Sequence, residues 1–133
     1  MTKSLASKLG IKPDDTVCLL NPDEKTVARL REDSGDSTKY LDEVTDGCDV
    51  ILVWVSTSDN IFDLMSRLQT LIKPSGRIWL IIPRKDVAKR KGIELDWDRI
   101  QTEALKTHLV DNKIASISDG EYGTQFVLRK EYR

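Results

Sequence analysis

The sequence predicts an α/β fold: a mostly parallel sheet forming the middle layer of a three-layer sandwich and ending in an antiparallel C-terminal hairpin. Three observations carry this. Two apolar runs, Asp49-Val50-Ile51-Leu52-Val53-Trp54-Val55 and Arg77-Ile78-Trp79-Leu80-Ile81-Ile82-Pro83, have the near-continuous β-branched character of strands buried on both faces. Between them Ile61, Leu64, Met65, Leu68, Leu71 and Ile72 recur at helical spacing, one apolar face of a helix that Pro74-Ser75-Gly76 terminates. Strand, helix, strand is the crossover that parallel pairing requires. Third, residues 113–118 and 124–130 read as strands around a five-residue turn at 119–123, the pattern of a hairpin.

The remaining elements follow in chain order. Residues 2–9 form a short helix with Leu5 and Leu9 on one side, stopped by Gly10 and Pro13. Thr16-Val17-Cys18-Leu19-Leu20 is the first strand. Asn21-Pro22-Asp23-Glu24 turns out of it, and Pro22 or Asp23 opens a helix to Arg31 with Val27 and Leu30 facing inward. Residues 37–41 are a short strand, and Asp46-Gly47 leads into the central one. Residues 84–92 read as a charged loop. Asp96 or Asp98 caps a helix to about residue 109, with Trp97, Ile100, Ala104, Leu105 and Leu109 on its apolar side.

The totals narrow the class. A chain of 133 residues, 39% of them hydrophobic, fills one core, and no linker or repeat divides residues 1–133. The 21 basic and 22 acidic residues leave a net charge of −1, which argues against a surface built wholly for nucleic acid. No run approaches the roughly 18 apolar residues of a membrane span, and Met1-Thr2-Lys3-Ser4-Leu5 lacks the apolar core of a signal peptide. Cys18 and Cys48 have no metal-binding spacing and read as reduced thiols. The expectation is a soluble, cytoplasmic protein.

The element order resembles the class I S-adenosylmethionine-dependent methyltransferases, a Rossmann-like family whose sheet closes with such a hairpin. Residues 9–17, Leu-Gly-Ile-Lys-Pro-Asp-Asp-Thr-Val, are similar to the segment entering that family's first strand. Cys48-Asp49-Val50-Ile51 resembles its fourth, and Leu71-Ile72-Lys73-Pro74-Ser75-Gly76-Arg77-Ile78 resembles the turn before its fifth. The departures matter as much. The family's first strand ends in an acidic residue and a glycine-rich turn that lets backbone approach the cofactor. Here the turn is Asn21-Pro22-Asp23-Glu24-Lys25, without glycine, and Pro22 removes a donor. The family also spends two further strands with helices before its fourth, where this chain has only residues 21–49. The resemblance is therefore to a shortened, degenerate form. A closer one, carried by Trp54, Ile78-Trp79-Leu80, Pro83-Arg84-Lys85 and Leu128-Arg129-Lys130, is to a small family of uncharacterised bacterial proteins. It implies the fold and no activity.

In an open α/β sheet, ligands bind beyond the carboxyl ends of the strands. That rule selects Asn21, Asp23 and Glu24, then Ser56, Thr57, Ser58 and Asp59, and finally Arg84 and Lys85 as a possible ligand site. Hydroxyls and amides at the start of the 60–72 helix can hold an anion, and Arg84 can pair with a phosphate or carboxylate. The plainer structural reading is that Ser58 or Asp59 caps the helix and the rest is solvated loop. Lys85, Lys89, Arg90 and Lys91 form the one basic cluster, a contact for phosphate backbone or an acidic partner, or simply a solvated face that Glu94, Asp96 and Asp98 neutralise. Trp54 and Trp79 read as core. His108 has no nucleophile placed near it by any motif. No metal-ligand spacing, phosphate loop or dinucleotide fingerprint occurs.

No catalytic and no cofactor-binding residue is therefore assigned. The function expected is that of a non-catalytic domain working through protein contacts or a small ligand at the strand ends. One alternative is a minimal methyltransferase in which Asp23 or Glu24 holds S-adenosylmethionine and residues 56–60 face the acceptor. Another is a nucleic-acid-binding accessory domain using the 84–91 stretch. A protein partner or a second copy of the chain fits the first reading, and no membrane is expected to take part.

Overall fold

A computed structural model of the chain describes residues 4–57 and 59–133. The elements are α1 (Leu5–Lys8), β1 (Thr16–Leu20), α2 (Glu24–Ser34), β2 (Lys39–Leu41), β3 (Cys48–Trp54), α3 (Ile61–Leu68), β4 (Ile72–Pro83), α4 (Lys85–Lys91), α5 (Trp97–Leu105), β5 (Leu109–Ser118) and β6 (Glu121–Leu128), with a closing 3₁₀ turn at Lys130–Tyr132. The strands order β2-β1-β3-β4-β6-β5. The pairs β1–β2, β1–β3 and β3–β4 are parallel, while β4–β6 and β5–β6 are antiparallel. The expected α/β sandwich with a mostly parallel sheet and a terminal hairpin is the fold observed.

Alternation along each strand divides the core in two. Cys18, Ile51, Val53, Ile78, Leu80 and Phe126 pack with Met65 and Leu68 of α3 and with Ile100 and Ala104 of α5. Val17, Leu19, Val50, Leu52, Trp54, Trp79 and Ile81 pack with Leu5 and Leu9 and with Val27 and Leu30 of α2. Trp79 is fully buried, and its indole N–H donates to the Leu9 carbonyl at 3.0 Å, so the end of α1 is tied to the middle of the sheet. Among the described residues no helix is long and apolar enough to cross a membrane.

Five local expectations are corrected. The helix after β3 stops at Leu68, and Ile72, expected on its apolar face, opens β4 opposite Cys48. The register then jumps to Val50 opposite Arg77, so residues 73–76 bulge out of the strand. Gly76 sits where a Cβ would lie 2.9 Å from the Asp49 carbonyl oxygen, which explains glycine there without a turn. The charged stretch after β4 is a helix, α4, closed by Gly92 in the left-handed region at φ 68°. The helix from Trp97 ends at Leu105, because the Thr107 hydroxyl donates to the Ala104 carbonyl at 2.6 Å and accepts from the Leu109 amide at 3.2 Å. The hairpin turn is Asp119-Gly120 alone, since Glu121 already belongs to β6. Gly123 reads as a turn residue but lies inside β6, where a Cβ would meet Ile117 and Trp79 at 3.2 Å.

The fifth correction concerns the cysteines. Cys18 and Cys48 are joined as a disulfide between β1 and β3. Both are fully buried, under the loop that follows β2, with the Thr45 hydroxyl 3.9 Å from one sulfur and 3.8 Å from the other. Sequence separation said nothing of this, because the pairing depends on which strands become neighbours. The reduced-thiol reading falls, and with it the argument from cysteines for a reducing compartment.

Candidate functional site

β1, β3 and β4 run parallel, so Leu20, Trp54 and Pro83 bring their carboxyl ends to one rim of the sheet. The loop after β3 closes on itself. Asp59 accepts the Ser56 amide through its carboxylate at 2.7 Å and donates its own amide to the Ser56 carbonyl at 3.1 Å. Asn60 then caps α3 by accepting the Asp63 amide at 3.1 Å. On the other side α4 follows β4 directly, its entry fixed by the Arg84 amide donating to the Gly120 carbonyl at 2.8 Å.

Between these two walls lies a cleft of about 910 Å³. Ser56, Thr57 and Asp59 line one side and Lys85, Ala88 and Lys89 of α4 the other. Ile61, Ile93, Leu95 and Ile100 supply apolar surface, and Arg99 and Glu94 reach in from the segment around the start of α5. Its charges are unequally engaged. The Asp59 carboxylate holds the Ser56 amide, Asp96 caps α5 by accepting the Asp98 and Arg99 amides, and Glu103 pairs with Lys106 at 2.9 Å. Among the described residues the ion pairs within 4 Å are Lys106–Glu103 and Lys73–Asp49, so Lys85, Lys89 and Arg99 line the cleft without a carboxylate on them.

The residues expected to share a site are only partly gathered. Ser56, Thr57, Asp59 and Lys85 meet in the cleft, and Lys89 joins them. Ser58 lies outside the described residues. Asn21 lines a separate cleft of about 380 Å³ between the end of β1 and α3, with Asp59 as the wall common to both. Asp23 caps α2, accepting the Thr26 amide at 3.1 Å and its hydroxyl at 2.8 Å. Glu24 is the exposed first residue of α2 and lines neither cleft. Arg84 donates to the Ser116 hydroxyl at 3.1 Å, on the hairpin. The basic cluster is split as well: Arg90 and Lys91 line neither cleft. Arg99, Ile93 and Leu95 were missed. Their signal was modest, two apolar residues in a polar connection and an arginine one turn into an amphipathic helix.

Other singled-out residues have structural work. Trp54 and Trp79 are core. His108 stacks on Tyr132 with ring centroids 3.7 Å apart, and its amide donates to the Gln69 side chain at 2.8 Å. The turn after β1 is distinctive. Asn21 takes a left-handed conformation, φ 53°, which asparagine tolerates better than most residues. Its side-chain amide donates to the Trp54 carbonyl at 3.4 Å. Nearby, burial and then the negative charge of Asp23 push the Glu121 carboxyl above its usual range, against the opposing pull of the Ser118 hydroxyl and Lys91. Among the described residues no group of three or more His, Cys, Asp or Glu could hold a metal ion.

The fold has clear relatives among solved structures. The chain is similar to a SAM-dependent methyltransferase from Aquifex aeolicus, with TM-score 0.69 and 11% identity over 94% of this chain and 88% of that one. It is similar to a protein from Sulfolobus solfataricus described as a type 11 methyltransferase, with TM-score 0.66 and 18% identity over 95% and 90%. It also resembles Aeropyrum pernix fibrillarin, solved with natively bound S-adenosyl-L-methionine, with TM-score 0.63 and 11% identity over 92% and 73%. At these identities the likeness is one of fold. No curated protein matches the chain. Residues 6–130 match the model of a family described as a protein of unknown function, DUF3052.

Proposed function

This chain is a member of the DUF3052 family of proteins of unknown function, and from that premise we propose that it is a non-catalytic binding domain. On this reading it keeps a methyltransferase-like sheet, takes no S-adenosylmethionine, and binds its ligand in the cleft between the loop after β3 and α4. The turn after β1 carries the reading. At the place where the resemblance calls for glycine backbone and free donors, Asn21 commits its side-chain amide to the Trp54 carbonyl. Pro22 has no N–H to offer, and Asp23 spends its carboxylate on capping α2. The stretch between α2 and β3 adds one three-residue strand, β2, where the resemblance calls for two further strands with their helices. The cleft beside Ser56, by contrast, has the volume of a small-molecule site and polar groups converging on apolar walls.

The division of the basic residues favours this over nucleic-acid binding. Lys85 and Lys89 line the cleft while Arg90 and Lys91 do not, so the four form no single stripe along which a phosphate backbone would track. Calorimetric titration with S-adenosylmethionine and S-adenosylhomocysteine tests the proposal. We expect no heat of binding at millimolar ligand. Micromolar affinity for either would overturn it in favour of a minimal methyltransferase.

A further inference from the structure

We propose that the cleft under α4 takes an anionic amphiphile, a phosphate or carboxylate head on an apolar alkyl or aryl body. This rests on the reading of that cleft as the binding site and gives its ligand a chemistry. The argument begins with α4. It is seven residues long and buries none of them. A helix this short owes its stability to tertiary packing rather than to its own hydrogen bonds. It is held at its ends, where the Arg84 amide donates to the Gly120 carbonyl at 2.8 Å and the Ile93 amide to the Ala88 carbonyl at 2.9 Å. Lys85, Ala88 and Lys89, spaced i, i+3 and i+4, face the open cleft. A ligand there would give the inner face of α4 something to pack on.

The charge of that ligand follows from which groups are already engaged. Three of the four carboxylates lining the cleft are committed, Asp59 and Asp96 to backbone amides and Glu103 to Lys106. Glu94 is the fourth. Among the described residues Lys85, Lys89 and Arg99 stand beside it with no carboxylate within 4 Å. The lining is not positive overall, with four carboxylates to three cations, so the preference rests on partners: a cationic head would meet one unengaged carboxylate, Glu94, and an anionic head three unengaged cations. An anionic head satisfies them, with Arg99 able to present a two-pronged donor set and the lysines point charges. The body follows from Ile61, Ile93, Leu95 and Ile100, of which Ile61 and Ile100 are almost buried at 8% and 4% exposure. Among the described residues no aromatic side chain lines the cleft, so it offers no stacking platform for a nucleobase.

The test uses the full chain, with octyl phosphate, octylamine and octyl glucoside as probes, followed by amide chemical shifts and calorimetry. Octyl phosphate should move the amides of Thr57, Asp59, Lys89 and Ile100 and bind roughly tenfold tighter than octylamine. The variant Lys85→Gln with Lys89→Gln should lose most of that preference, while Lys85→Arg with Lys89→Arg keeps it. Because Lys85 and Lys89 are exposed, neither pair threatens the fold, which circular dichroism checks. Octylamine binding as tightly as octyl phosphate, or an unchanged affinity in the glutamine variant, overturns the anionic class and leaves the cleft standing as a site. If none of the three probes moves those amides, the class and the cleft reading fall together. Vesicles of phosphatidylcholine with phosphatidic acid separate two sources of one chemistry. Co-sedimentation assigns the head to a lipid surface, and binding of octyl phosphate alone assigns it to a free metabolite.

Discussion

Asp49 shows how much a single side chain at a strand entrance can hold. One carboxylate oxygen accepts the Thr16 amide at 2.8 Å, fixing the start of β1, and the other accepts Lys73 at 2.9 Å, fixing the bulge in β4. Burial by itself would raise its pKa. The Thr16 amide, with the hydrogen bond and charge of Lys73, outweighs that and leaves the group below its usual value. A carboxyl depressed in the folded state stabilises at pH values above its unfolded pKa, and that contribution is lost as pH falls through the folded one. We therefore expect Asp49→Asn to cost about 1–2 kcal/mol at neutral pH, and the gap to the parent to close as pH falls through and below the ordinary carboxylate range. Urea titrations at several pH values measure this, and a gap that stays constant with pH would contradict the assignment. The sequence showed Asp49 as the opening residue of a strand. It could not show that one carboxylate serves two neighbouring strands, because that depends on register.

At the scale of elements, what could be read from the chain was what buries apolar surface. β3 and β4 announce themselves as apolar runs, and α2 and α5 by their openings, Pro22 or Asp23 and Asp96 or Asp98, of which Asp23 and Asp96 are the caps and accept amides of the first turn. α4 escaped because a helix that buries nothing has no apolar period to read. Gly123 misled for the opposite reason: its missing side chain makes room for Trp79 rather than for a turn. The absence of burial also governs how α4 moves. Its amides should exchange with solvent far faster than those of β3, through an opening that exposes little surface and so responds weakly to urea. Hydrogen exchange at low urea measures this, and protection in α4 equal to that in β3 would show a packing partner that the structure does not contain.

For the whole molecule, half the candidate site was legible. Strand order alone determines which loops share a rim, so Ser56, Thr57, Asp59 and Lys85 could be placed together from the chain alone. Arg99 could not, because its place depends on how α5 crosses the sheet. Nor could the two cysteines. The disulfide encloses a separation of 30 residues, and closing a loop of that size in the unfolded chain is worth about 3.7 kcal/mol in the loop-entropy account. The variant Cys18→Ser with Cys48→Ser, or the parent in dithiothreitol, should lose about that much in urea denaturation. An unchanged midpoint would mean that the bridge adds nothing to stability. The same bond has a topological consequence. α2 and β2 lie wholly inside the covalent ring that Cys18 and Cys48 close. Their connecting loop includes exposed Gly35, Asp36 and Ser37, the kind of site where proteases cut. A chain severed there stays in one piece, migrating as a single species until a reducing agent lets the two fragments part.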